Sequence, residues 1–217
     1  GSKGIIYIDC MSNSGVYRDE NGNQIDGTAL RVAKKLNDIV TNYPGKSAIL
    51  IFNDISERRI EYLKTVIEKA NLTSIQVVYR SEDCNSFLRG LDLDSYKRQF
   101  NTLLLYDPYK ASIDWDAVTP FLNTWGEVII NHMVSDTSRG ASQAKKKDVI
   151  VRYTETYQED IATIIKMGKD KHQLNDAIIA IINKKRTGSP QRKYIASFPF
   201  FTRTNGLVYN LIHCCSN

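Results

Sequence analysis

Unbroken apolar runs alternate with helical stretches along the first part of the chain. Runs at 5–9, 47–54, 74–80, 101–108 and 126–133 lack the alternation of a half-exposed strand, so they predict strands buried on both faces. Between the first two, residues 28–42 carry Leu30, Ala33, Leu36, Ile39 and Val40 at helical spacing. Residues 56–71 predict a second helix with Ser56 as its N-cap. Shorter helices are expected at 84–92 and at 114–124, the latter in spite of Pro120. Buried strands that are each followed by a helix predict a parallel sheet covered on both faces, with right-handed crossovers.

The rhythm breaks at the end of the chain. Two strand-like runs, 193–201 and 206–215, are separated by only four residues, "TRTN". A parallel crossover needs a dozen residues or more, so the runs predict an antiparallel hairpin turning at Asn205-Gly206. The fold class is therefore α/β: a Rossmann-like, doubly wound, mostly parallel sheet with a C-terminal antiparallel hairpin. Residues 135–192 are polar and helical, with amphipathic helices expected at 157–168 and 173–185. They read as an insertion within one domain spanning residues 1–217.

Bulk properties narrow this picture only a little. The chain has 217 residues, 42% apolar and 24% charged, which is ordinary globular composition and fits about one domain. Gly1-Ser2 reads as a remnant of cloning, with the natural N-terminus expected upstream. No apolar run of about 18 residues occurs, so no membrane span is expected. Cys10, Cys84, Cys214 and Cys215 form no C-x-x-C pair and read as free thiols, which places the chain in a reducing, cytoplasmic compartment. A net charge of +5 permits an anionic partner. The basic groups lie at Lys145-Lys146-Lys147, Lys184-Lys185-Arg186 and Arg192-Lys193, either as a solvated face or as a phosphate-contacting one.

Ligands of open parallel sheets bind beyond the carboxyl ends of the strands. Those ends carry Asp9 and the loop to Gly15; Asn53-Asp54; Glu82-Asp83; Asp107-Pro108-Tyr109; and Asn131-His132. Each of the first four strands thus ends on an acid. Clustered carboxylates repel one another, which favours a ligand there, although Asp also caps turns and helices on its own account. Asp54 can accept both hydroxyls of a ribose, Asp83 an adenine amine, and Asp9 can shape the far end of such a ligand. Neither G-x-G-x-x-G nor G-x-x-x-x-G-K-[ST] is present, so a dinucleotide or triphosphate is disfavoured. A nucleoside bearing positive charge fits better, and S-adenosylmethionine is one. His132 either faces this cleft or is structural. No metal site is expected.

These motifs resemble those of the three-Cys-motif partner proteins, bacterial and phage members of the class I S-adenosylmethionine-dependent methyltransferase fold. The family opening "YIDxFAGxGxY" is met by "YIDCMSNSGVY", which keeps Tyr7, Ile8, Asp9, Gly15 and Tyr17. Its "FxDPYG" is met by "LLLYDPYK", its fifth strand running into an arginine by "EVIINHMVSDTSR", and its closing hairpin by "KYIASFPFFTRTNGLVYNLIHCC". The resemblance covers nearly the whole chain. Asn13 stands where the family has the first loop glycine, and Asn tolerates positive φ better than most residues.

The resemblance implies a methyltransferase-like activity with S-adenosylmethionine held by Asp9, Asn13, Gly15, Asp54 and Asp83. Asp107-Pro108-Tyr109 is similar to the [DN]-P-P-[YF] turn of amino-methyltransferases, short by one proline. It implies that Asp107 accepts a hydrogen bond from a target amine and that Tyr109 stacks on a base taken out of its helix. A nucleic acid base or a nucleotide is then the expected acceptor. The alternative is a degenerate, non-catalytic binding module with a protein partner, which the loss of the glycine at Asn13 favours. A nucleotide-dependent oxidoreductase is disfavoured by the closing hairpin.

Overall fold

The computed structural model describes residues 1–97, 99–187, 193–204 and 206–216. The chain divides into two compact units, Gly1–Leu105 and Tyr106–Asn217.

The first unit follows the predicted order with two additions. Strand β1 (Gly4–Asp9) pairs in parallel with β4 (Ser47–Asn53) and with β6 (Phe100–Tyr106), and β4 pairs in parallel with β5 (Gln76–Arg80). Helix α1 (Thr28–Asn42) lies where the spacing predicts it, with Ala29, Leu30 and Ala33 buried; Ile39, counted among its apolar positions, is exposed instead. Leu50, Phe52 and Leu63 are fully enclosed in the unit's core, and each such side chain contributes about 1.5–3 kcal/mol. Helix α2 (Glu57–Lys69) has Ser56 at its N-cap position, but the Ser56 side chain makes no capping bond. The expected helix at 84–92 is shorter, α3 (Cys84–Arg89), and is capped by Asp83, which accepts the Ser86 N–H. Unpredicted are the small antiparallel hairpin β2 (Val16–Arg18) and β3 (Gln24–Asp26) in the first loop, and α4 (Leu93–Lys97).

In the second unit α5 (Trp115–Thr124) runs through Pro120 and is capped by Asp114. Strand β7 (Glu127–His132) and β8 (Lys193–Phe201) both pair antiparallel with β9 (Leu207–Ser216). The predicted hairpin thus forms; Asn205 of its expected turn lies outside the described residues, and Thr202 and Gly206 close the loop through a backbone bond. The stretch at 135–192 is more helical than its pattern predicts. It contains α6 (Val134–Gly140), a 3-10 turn at Ala141–Gln143, α7 (Lys147–Tyr157), α8 (Ile161–Met167) and α9 (Lys171–Lys185). The helix expected at 157–168 starts late because Gln158 adopts a left-handed conformation (φ 53°) after Tyr157 ends α7.

Strand order is β5-β4-β1-β6 in the first unit and β7-β9-β8 in the second. This is a Rossmann-like, mostly parallel sheet with antiparallel C-terminal strands, as the sequence predicts. Among the described residues no helix is long and apolar enough to cross a membrane.

Candidate functional site

In the first unit the loop that follows β1 is drawn onto the end of β4. The Ser12 N–H donates to the Asn53 carbonyl (2.8 Å), and the Asn13 N–H donates to Asp54 Oδ2 (3.1 Å). Asn13 (φ 56°) and Gly15 (φ 74°) are both left-handed, and this lets the backbone turn back so sharply. Asn13 keeps the turn that a glycine would make, and its Oδ1 accepts the Ser14 N–H at 2.8 Å. At Gly15 nothing larger fits easily, because Leu63 Cδ1 occupies the space into which a Cβ would project.

Asn53, at the end of β4 and fully buried, joins three strand ends. Its Nδ2 donates to the carbonyls of Cys10 (3.1 Å) and Glu82 (3.0 Å), and its Oδ1 accepts the Glu82 N–H (3.0 Å). Sequence reasoning places Asn53 at a strand end but gives it no role; an amide closing an otherwise apolar run is the signal that was available.

The strand-end acids of this unit differ in their freedom. Asp9 is buried and its Oδ1 accepts the Met11 N–H. Asp54 is only 2% exposed; besides Asn13 it accepts the Ser56 N–H on Oδ1 (2.9 Å), and the Arg59 guanidinium lies 3.5 Å from Oδ2. Asp54 rather than Ser56 thus satisfies the backbone ahead of α2. Asp83 is exposed and uses one oxygen to cap α3. Next to Asp54, Ile55 is 72% exposed, a bare apolar surface at a strand end that sequence reasoning missed. Beside the loop an open cleft of about 650 Å³ is lined by Ser14, Ser56, Arg58, Arg59, Glu61, Tyr62 and Thr65, so it carries two guanidinium groups and one carboxylate.

In the second unit Asp107 is half-buried and Tyr109 is 56% exposed, with Pro108 buried between them. Asn131 Nδ2 donates to Asp107 Oδ1 at 2.6 Å. Burial pushes the Asp107 pKa up, and the Asn131 bond opposes that shift. The segment after this turn is held by α6 and α7. The Ala111 N–H donates to Asp136 Oδ2 (3.0 Å), the Ile113 N–H to Thr156 Oγ1 (3.1 Å), and Trp115 Nε1 to the Thr156 carbonyl (2.9 Å). Arg152 lies 3.4 Å from Asp136 and stacks over Tyr153. Asn131, Asp136 and Thr156 are supports that the linear pattern does not reveal.

His132 is fully buried, and its Nε2 lies 2.8 Å from the Tyr157 hydroxyl. Burial lowers its pKa to about 4, an effect the Asn175 side chain opposes. Of the two placements open to His132, the structure gives the buried, hydrogen-bonded one. The basic groups also separate. Lys145, Lys146 and Lys147 are exposed, whereas Arg186 donates to the carbonyls of Tyr194 and Cys215 and ties α9 to the hairpin. Arg192 lies outside the described residues. Arg139 is exposed and donates to the Ser135 carbonyl. All four cysteines are free thiols, and among the described residues no cluster of metal ligands forms.

No protein-family model matches this sequence, and no curated protein matches it. Solved structures do. An rRNA methylase from Streptococcus thermophilus aligns with a TM-score of 0.51 at 8% identity, over 99% of this chain and 88% of that one. A SAM-dependent methyltransferase from Methanosarcina mazei aligns at 0.47 with 12% identity, over 99% and 92% of the two chains. Magnesium protoporphyrin IX methyltransferase from Synechocystis, with bound SAH, aligns at 0.45 with 13% identity, over 100% and 74%. The likeness to the rRNA methylase shows that the chain has the Rossmann-like fold of the methyltransferases.

Proposed function

We propose that the chain is a methyltransferase-like protein that binds S-adenosylmethionine, is of the three-Cys-motif partner type, and acts on an amine of a nucleic acid base or nucleotide. The carrying observation is the loop after β1, where two left-handed residues, Asn13 and Gly15, bring backbone close to the strand ends. It follows the central strand of the first unit, flanked by β4 and β6, where ligands of such sheets bind.

The residues present fit an adenosine best at one end. Ile55 offers an apolar surface for a flat heterocycle, and the exposed Asp83 has an oxygen left to accept from an exocyclic amine. Asp54 has one lone pair on Oδ1 beside the bond from Ser56, enough for one ribose hydroxyl rather than two. When bound, the cofactor supplies an electrophilic methyl group on a sulfonium. In the second unit Asp107 accepts from the acceptor amine, Asn131 fixes its carboxylate, and Tyr109 provides a face for stacking. The reading treats residues 1–217 as one methyltransferase-like domain with its insertion at 135–192, acting in the cytoplasm.

Calorimetric titration with S-adenosylmethionine and with its demethylated product tests the cofactor; no heat from either at millimolar concentration would overturn the reading. Asp107→Ala should abolish methyl transfer to oligonucleotides and leave cofactor affinity within about 1 kcal/mol, because the group acts on the acceptor. A second reading, a binding module that has lost methyl transfer, is favoured by the enclosure of Asp54. It predicts affinity for a protein partner without turnover, and no weakening of oligonucleotide binding as salt rises.

A further inference from the structure

The three strands of the second unit, β7, β9 and β8, have two unlike faces. On one face Val128, Ile130, Ile212 and Cys214 are buried, and Ser197 Oγ of β8 accepts from Asn175 Nδ2 of α9 (3.2 Å). On the other face β8 is exposed at every second residue from Tyr194 to Phe200: Tyr194 is 60% exposed, Phe198 52% and Phe200 40%. Phe200 stacks on Tyr209 of β9, with ring centres 4.6 Å apart and planes at 14°, and this sets the plane of its ring. Register partners in antiparallel strands share a face. Asn131, Leu211 and Phe198 therefore form one row across this face, and Tyr209 and Phe200 lie in the next. Among the described residues of the face, the acidic and basic ones are Glu127 and His213, whose side chains lie 2.9 Å apart. Exposed rings set together on an otherwise uncharged surface mark a place of contact with another molecule.

We infer, resting on the methyl-transfer reading above, that this face is a stacking platform for single-stranded nucleic acid, with the bases beside the target lying on Phe198 and Phe200. Asn131 holds Asp107 Oδ1 at 2.6 Å, so an amine resting on Asp107 lies at the end of the row that continues through Leu211 to Phe198. Neighbouring strands are about 4.8 Å apart, which puts Phe198 about 10 Å from Asn131, within reach of a nucleotide next to the target. The rows of Phe198 and Phe200 carry no charged side chain. They take the flat faces of bases, and the phosphates are left to solvent and to Arg203, exposed at the hairpin tip. Phe198 and Phe200 stand about 6.8 Å apart along β8, twice the rise of about 3.4 Å between stacked bases. Bases in a duplex cannot part that far without unstacking, whereas those of a single strand can be splayed onto aromatic rings. A second copy of the chain would also suit the rings, but it would cover the row of Asn131 and shut the acceptor away from Asp107.

Fluorescence anisotropy of the full chain with a labelled oligonucleotide of mixed sequence, DNA in one arm and RNA in the other, tests the platform. A single strand should bind in at least one arm, and an unlabelled duplex of the same sequence should compete poorly. No binding in either arm, or equal competition by the duplex, overturns the inference. Phe198→Ala and Phe200→Ala should each weaken binding about 5- to 150-fold, the usual worth of one stacked base. Phe198→Tyr should bind as the wild type does and Phe198→Leu should not, because leucine keeps apolar contact without a ring; wild-type affinity in Phe198→Leu overturns stacking. Sedimentation should show one mass across the concentrations used. Self-association that Phe198→Ala abolishes would put a second copy on the face and overturn the platform. Calorimetry with S-adenosylmethionine separates the two readings. Cofactor heat without oligonucleotide binding overturns the platform alone. Single-strand binding that Phe198→Ala weakens, without cofactor heat, overturns methyl transfer and leaves the platform standing.

Discussion

Asn53 and Asp54 in the first unit direct their polar atoms at backbone. They hold the carbonyls of Cys10 and Glu82 and the N–H groups of Glu82, Asn13 and Ser56. In the second unit His132, Tyr157, Thr137, Asn175, Ser197 and Asn210 direct theirs mostly at one another. The difference separates two uses of a buried polar side chain. Bonds to backbone fix the path of loops, and each can form wherever one suitable residue ends a strand. Bonds among side chains fix how helices sit on a sheet, and they require several distant positions to be right together. Removing a backbone-directed amide strands main-chain groups that have nowhere else to turn, whereas a side-chain network can rearrange or admit water.

The largest expected effect tests that claim directly. Asn53→Leu leaves two carbonyls and one N–H without their partner in a fully buried site, and should cost about 3–5 kcal/mol in urea unfolding. Asn175→Leu, in the second unit, should cost less. A larger loss at Asn175 than at Asn53 would break the contrast.

Acid should act next most strongly, and through the second unit. The folded-state pKa of His132 is depressed to about 4 from 6.5 because burial disfavours the imidazolium. Its stabilising contribution is therefore fully present above about pH 6.5 and is lost as pH falls toward 4. Linkage gives a loss of about 3 kcal/mol between pH 7 and pH 4. His132→Gln should remove that part of the pH dependence; a variant as acid-sensitive as the wild type would show that His132 is not the group responsible.

The same contrast accounts for what the sequence could reveal. The parallel strands were legible because β1, β4 and β6 are apolar runs without alternation, and α1 because its spacing is regular. The β2–β3 hairpin was not, since three-residue strands carry no period. Helices α6 and α7 escaped because their buried faces hold Thr137, Tyr153 and Thr156 rather than a stripe of aliphatic residues. Asp9, Asp54 and Asp107 stood out as acids ending strands. What each carboxylate accepts depends on where neighbouring loops run, and no local pattern encodes that. The side-chain bonds of the second unit's core draw on residues 132, 137, 157, 175, 197 and 210, too scattered to read as a motif.

Asp54→Asn sharpens the comparison within the first unit. One oxygen becomes an NH₂ that must face either the Asn13 or the Ser56 N–H, a donor against a donor. A loss of about 2 kcal/mol in stability is expected. In calorimetry the same variant should weaken any S-adenosylmethionine binding, because the loop no longer rests on the carboxylate. Unchanged stability would mean that Asp54 is not what holds the loop.

The smallest effect concerns Asn13, where the chain departs from a glycine loop. Its φ of 56° is open to glycine without strain and to asparagine at little expense, because Oδ1 accepts the neighbouring Ser14 N–H. Asn13→Gly gains backbone ease but loses that bond and adds freedom to the unfolded chain, so stability should stay within about 0.5 kcal/mol. Asn13→Ala keeps a Cβ in the left-handed region with no polar compensation and should cost about 1–2 kcal/mol. The Asn13 N–H to Asp54 survives in both, since it belongs to the backbone. Gly15 has no such latitude: its φ of 74° is joined by Leu63 crowding the place of a Cβ, so Gly15→Ala should be the more damaging alanine. Thermal unfolding of the three variants checks the order. An Asn13→Ala loss equal to that of Gly15→Ala would mean that positive φ alone sets the demand in this loop, and that the packing of Leu63 does not.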